Sequence, residues 1–276
     1  MMRYRYWVVF PLLWAAAFLI GDTLFFGTPG YPVFLRTEVE LVKGLALFGS
    51  WAAALRFERG DYLRRAWFLI GGVLALLLLR DLTLAPLGFE AMGQGNLEVL
   101  RSVLVTLANL SGVAGTWLLA RTWKVADLSL PGSRKGQAAV VAVAVVLAVA
   151  FASPGLVTSG SRLLEGDLTA TAGAASAFGD MIILCLLAPL FLTALALRGG
   201  LISWPWALLT ASNVAWLLYD ALAVLGPALG LDAHAARTST ELFRALGCTF
   251  GFTAGLAQRA VVDHLRRLGG GPPPAV

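Results

Sequence analysis

Charged residues are scarce in this chain: 13% of its 276 residues are Asp, Glu, Lys or Arg, where a soluble domain carries about a quarter. Histidine and cysteine are scarcer, with two of each, and only three lysines stand beside 18 arginines. So few ionisable groups, set against 58% apolar residues, argue against a nucleic-acid binder, a disordered chain or an ordinary cytosolic enzyme. Cys185 and Cys248 lie inside apolar stretches, which leaves no disulfide framework and no cysteine-rich zinc site. His234 is expected in a loop and His264 in the tail, so no intramembrane histidine is available for a metal cluster or a Ser/His/Asp arrangement. No metal and no cofactor are expected, and enzyme chemistry finds little support. A lipid-modifying or carboxylate-only enzyme would need a water-accessible carboxylate pair beside a lipid-facing opening. Nor is a retinal protein indicated, because the last two apolar stretches contain no lysine for a Schiff base.

What the chain does have is long apolar runs. A membrane helix needs about 20 such residues, and eight stretches qualify: about 6–26, 38–55, 66–86, 97–120, 137–155, 175–197, 204–226 and 239–262. The first follows Arg3 and Arg5 as a signal peptide would, yet no small-residue cleavage site follows it, so it is expected to stay as an uncleaved span. One set of span ends carries 14 cations, including Arg56, Arg59, Arg64, Arg65, Arg121, Lys124, Arg134, Lys135, Arg198, Arg259, Arg266 and Arg267. The opposite loops carry only Arg36, Arg162 and Arg237. The positive-inside rule then places both termini in the cytoplasm, and Arg greatly outnumbering Lys, with abundant Ala and Gly, suggests a GC-rich bacterial genome and so the bacterial inner membrane. The fold class expected is an all-α integral membrane protein.

The chain also resembles itself. At an offset of 139, Arg59-Gly60, Trp67 and Asp81 fall on Arg198-Gly199, Trp206 and Asp220. At 143, Glu98-x-x-Arg101 falls on Glu241-x-x-Arg244, with Thr106 on Thr249, Ala108 on Gly251 and Gly112 on Gly255. Two parallel four-helix repeats are expected, over 1–130 and 131–266, followed by a flexible cytoplasmic tail at 267–276. Parallel repeats are related by an axis along the membrane normal, and a site at their interface is one expectation. Duplication of a folding unit for stability alone is the other.

Twelve charged residues fall in the outer third of these spans: Asp22, Glu38, Glu40, Lys43, Arg80, Asp81, Glu98, Arg101, Asp180, Asp220, Glu241 and Arg244. Charges at such depth usually pair, face the bundle interior or line a wet cavity, so an outward-facing polar chamber between the repeats is expected. Glu98 follows Asn96, and Glu241 follows Ser239 and Thr240, so each glutamate also fits a capping role with its arginine paired at i,i+3. Glu40 beside Lys43 suits a structural pair. Asp81 is expected to meet Arg101, and Asp220 to meet Arg244, as interhelical clamps or as parts of a site. Asp180, after Gly179 and without an obvious local cation, is the best single candidate for a protonatable coupling carboxylate.

Small residues speak of packing. Gly247, Gly251 and Gly255 recur at i, i+4 and i+8, and Ala108 with Gly112 repeats the pattern, so close helix approach inside the bundle is expected in preference to a dimer surface. Pro189 should kink the sixth span. Trp7, Trp67, Trp123, Trp204 and Trp206 fall near cytoplasmic span ends, as interfacial anchors do. Trp14, Trp51 and Trp216 are deeper, where core packing or the wall of an apolar or cationic ligand site would use them.

Gly179-Asp180 opening a span, Trp206 at the next, Trp216-Leu-Leu-Tyr-Asp220 and a closing Glu241-Leu-Phe-Arg244 together resemble the multi-span membrane input modules of bacterial sensor kinases and diguanylate cyclases. The resemblance covers roughly the last hundred residues. It implies a sensor-like module that binds a small molecule and passes a helix movement onward, here to a separate cytoplasmic signalling protein, since Asp263-His-Leu-Arg-Arg267 and a Gly/Pro tail stand where an output domain would follow. The partners expected are the lipid bilayer, a small-molecule ligand and that protein, with no nucleic acid. A small secondary transporter coupling protons or cations through Asp81, Asp180 or Asp220 is the alternative. Helices interrupted at mid-bilayer would favour transport; unbroken helices and an outer-third pocket would favour sensing.

Overall fold

A computed structural model describes residues 6–84, 94–167, 170–226 and 229–269, and among them only helices and their connections occur. The helices are α1 (Tyr6–Phe25), α2 (Tyr31–Ala54), α3 (Tyr62–Leu84), α4 (Gln94–Ala120), the short α5 (Thr122–Val125), α6 (Arg134–Leu164), α7 (Ala170–Ala196), α8 (Ser203–Leu225) and α9 (Ala233–Gly269). At 1.5 Å per residue, every helix but α5 reaches the roughly 30 Å of a bilayer's hydrocarbon core. Each of these long helices overlaps one predicted span. Among the described residues, α1, α3, α4, α6 and α7 are long and apolar enough to cross a membrane on length and composition.

Local chemistry sets several boundaries. Pro32 in the first turn of α2 needs no intrahelical donor, so that helix starts at Tyr31 and Glu38, Glu40 and Lys43 lie well inside it, not at its opening. Ser133 caps α6, its hydroxyl accepting from the Gly136 N–H at 3.2 Å. Asp232 does the same for α9, accepting from Ala235 N–H at 2.8 Å. Because α9 starts at Ala233, Glu241 sits more than two turns in, which overturns its expected capping role. Likewise α4 starts at Gln94, ahead of Asn96; the Glu98 side chain lies outside the described residues, as do Arg3 and Arg5.

The chain divides into two compact units, 1–61 with 197–276 and 62–196. In the first unit α9 is the hub, packing on α1, α2 and α8, while α1 and α2 touch each other little. Here α9 and α2 approach to backbone contact: a Cβ on Gly255 would run into the Gly49 carbonyl, and one on Gly49 into the backbone of Phe252. Gly247 receives the Trp216 ring of α8, and the Ser212 hydroxyl donates to the Gly247 carbonyl at 2.6 Å.

In the second unit α4 packs on α3 and α7, and α6 packs along α7. Gly115 lies against Ala66, Leu69 and Ile70; Gly112 against Val73 and Ile183; Gly179 against Asn109. Ala108 is 2% exposed in α4. Gly155 faces Ala177, and Gly173 faces Ser159, so small residues bring α6 and α7 together. The rest of α6 is bare apolar surface, with Val143, Val146 and Val157 each more than half exposed, as a lipid-facing helix requires.

Trp67 and Trp206 are 1% and 5% exposed, so their rings are buried in protein and do not sit in an interfacial belt as expected. Gly60 and Gly199, which precede α3 and α8, both adopt φ near +100°, at +104° and +92°. Only glycine enters that region without strain, so each is fitted to turn the chain into the following helix.

Candidate functional site

The densest polar chemistry lies in the first unit, at the amino end of α9. Asp22, in the last turn of α1, is 3% exposed, and two hydroxyls and a histidine ring gather at its carboxyl group. Tyr31 Oη donates to Oδ1 at 2.6 Å, Thr238 Oγ1 donates to Oδ2 at 2.9 Å, and His234 Nε2 lies 3.4 Å from Oδ2. His234 also stacks on Phe26, centroids 3.6 Å apart, and Arg237 covers the Tyr31 ring at 5.6 Å. His234 is therefore in the first turn of α9, not in a loop, and helps tie α1, α2 and α9 together. A carboxyl group buried this deeply is tolerable when it is hydrogen-bonded, as Asp22 is by Tyr31 and Thr238.

A second layer follows along α2 and α9. Glu38 is 6% and Lys43 2% exposed, and Glu38 is within electrostatic reach of both Lys43 and Arg244. Arg244 pairs with Glu241 one turn before it, and its guanidinium lies over the Tyr219 ring at 5.8 Å. The i,i+3 pair thus forms, while Asp220, the expected partner of Arg244, is half-buried next to Tyr219 on α8. Glu40 pairs with Arg36 at 2.8 Å, which replaces its expected pairing with Lys43 by the i,i+4 neighbour on its other side.

Beside this layer a groove of about 550 Å³ runs between α1 and α2, lined by Trp14, Phe18, Phe25, Phe34, Leu41 and Glu38 among others. The volume falls in the range of small-molecule sites. Its walls are aromatic: Phe34 stacks on Phe25 and Phe18 at 5.2 and 6.1 Å. Glu38 supplies its acid. Trp14 Nε1 donates to Oε1 at 3.1 Å, while Oε2 is buried and, among the described residues, has no hydrogen-bond partner.

Asp81, Arg101 and Asp180 belong to the second unit. Asp81 is held by its neighbour Arg80 at 2.6 Å, and Arg101 is exposed on α4, so the expected interhelical pair gives way to an adjacent one. Asp180 is half-buried on α7, next to the Gly179–Asn109 approach. Among the described residues no group of three or more His, Cys, Asp or Glu side chains has the arrangement of a metal site.

All-helical in its described residues, with five helices fit to cross a bilayer and buried charges held between helices, the chain is of the α-helical membrane class. No family model matches it, and neither does any curated protein or solved structure.

Proposed function

We propose that the chain is a sensor-like module of the bacterial inner membrane with eight spans and both termini cytoplasmic. A small molecule binds in the first unit, and its presence is passed along α9 to a separate cytoplasmic protein. The observation that carries this reading is α9 itself. It runs unbroken for 37 residues, about 56 Å, well beyond the roughly 30 Å hydrocarbon core. At its amino end it holds the Asp22 cluster; at its carboxyl end Arg266 donates to the Arg56 carbonyl at 2.6 Å and Asp263 lies 3.4 Å from Arg56. Between those ends it packs on every other helix of its unit. A packed rod of this kind moves as one body, so a shift imposed at one end is delivered at the other.

The sequence repeat supports the architecture in a specific way. With α1–α4 as one copy and α6–α9 as the other, the first unit combines the first two helices of copy one with the last two of copy two. The second unit combines the complementary halves. Packing of α8 on α9 then corresponds to α3 on α4, and α2 on α9 to α7 on α4. The positive-φ pair Gly60 and Gly199 and the buried pair Trp67 and Trp206 fall at equivalent positions.

Unbroken long helices, among the described residues, favour sensing over carboxylate-coupled transport through Asp81, Asp180 or Asp220. Hydrogen exchange of the full chain in lipid nanodiscs tests the coupling. Glu38→Gln, made at the groove, is expected to change protection at 259–269 as well as beside the groove. Changes confined to α1 and α2 would contradict it. Proteoliposomes should show no electrogenic proton flux; a flux lost in Asp220→Asn would establish the transporter instead.

A further inference from the structure

The groove lies where the two units depart from one another's pattern. In the second unit α6 lies along α7, with Gly155 against Ala177 and Gly173 against Ser159. In the first unit the corresponding helix, α1, leaves α2 and packs on α9, and Trp14, Phe18, Phe25 and Phe34 occupy the gap's walls. Aromatic residues have replaced a tight small-residue seam with an opening of about 550 Å³. Packing alone gives no reason to place a carboxylate in such an opening.

Glu38 is that carboxylate. It is 94% removed from solvent, at 6% exposure, and only one of its oxygens is satisfied, by a neutral indole N–H. The other is buried without a donor among the described residues. The cations within electrostatic reach do not close it: among the described residues, no ion pair joins Glu38 to Lys43 or Arg244, and Arg244 is engaged by Glu241. A half-satisfied buried carboxylate is costly, and what removes the cost is a donor carrying positive charge. A stack of three phenylalanine rings and an indole beside it suits the apolar body of such a donor, and their π faces attract the cation as well. An anion would meet Glu38 as a like charge. A bare hydrocarbon would leave the oxygen unpaired.

We infer that the α1–α2 groove binds an organic ammonium with an apolar body, its N–H directed to the Glu38 carboxylate and its hydrocarbon laid against Phe18, Phe34 and Phe25. This rests on the reading of the first unit as a small-molecule module and names its ligand class.

The test uses the full chain in phosphatidylcholine nanodiscs and equilibrium dialysis against three probes of one shape: 4-phenylbutylammonium, 4-phenylbutan-1-ol and 4-phenylbutanoate. The ammonium is expected to bind about tenfold tighter than the alcohol, as a charge-assisted hydrogen bond exceeds a neutral one, and the carboxylate weakest. Glu38→Gln, which keeps an acceptor for Trp14, should abolish the preference while alcohol binding remains. Phe34→Ala should weaken ammonium and alcohol alike, and Glu40→Gln, outside the groove, should change neither. Equal binding of ammonium and alcohol, or a preference that survives Glu38→Gln, overturns the ammonium assignment and leaves the sensor reading standing. No binding of any probe to protein with an unchanged melting curve overturns both.

Discussion

Single residues decide how closely these helices approach. Gly255 and Gly49 bring α9 and α2 to backbone contact, where an added methyl has nowhere to go. Gly255→Ala is therefore expected to destabilise by about 1–3 kcal/mol, the usual cost of overpacking, read as a lower melting temperature in detergent. Gly44→Ala, on the same helix as Gly49 but with open space at its Cβ, should melt as the parent or slightly higher. Equal effects at both positions would contradict the close approach. The glycine stripe was legible in the sequence because its i, i+4, i+8 spacing is local. The Asp22 site was not, since Thr238 and His234 reach Asp22 across more than 200 residues and no periodicity carries that information. Glu38 stood out as a charge at depth, but its bond to Trp14, 24 residues earlier, depends on how α1 leans.

At the scale of elements, hydropathy found every long helix yet misjudged some of their lengths and surroundings. The expected span 239–262 grew to Ala233–Gly269 because Asp232 caps the helix early and Arg266 and Arg267 suit its carboxyl end. Its polar residues kept it out of the apolar class; α1, α2 and α8 pack on α9, and within α9 itself Glu241 pairs with Arg244 and the Thr249 hydroxyl donates to the Ala245 carbonyl. By the same logic Trp67 and Trp206 looked like interfacial anchors, because a tryptophan near a span end reads the same whether it faces headgroups or a neighbouring helix. Helix α6 is the opposite case, apolar and largely bare. A nitroxide introduced by Val146→Cys should relax strongly with oxygen, and one introduced by Leu265→Cys with a water-soluble nickel complex. Preference for nickel at position 146 would contradict a lipid-facing α6.

At the scale of the molecule, the repeat proposed from the sequence would span 1–130 and 131–266, whereas the compact units are 1–61 with 197–276 and 62–196. The two divisions are compatible because exchanging the copies turns the helix set of one unit into that of the other. Matching offsets within one chain suggest two copies but carry nothing of such an exchange, which requires knowing which helix packs on which. The exchange is incomplete at α1, and the groove with Glu38 lies there. Sensing through this architecture requires one thing above all, that α9 crosses the membrane despite its buried charges, with the Asp22 cluster outside and Arg266 inside. The direct measurement is labelling of single thiols by a membrane-impermeant maleimide, in a background with Cys185 and Cys248 replaced by alanine. Ala233→Cys and Leu268→Cys place the thiols at exposed positions near the two ends of α9. In spheroplasts the thiol at 233 should label at once and that at 268 only after lysis. Labelling of both from the same side would show that α9 does not cross, and the sensor account would fall with it.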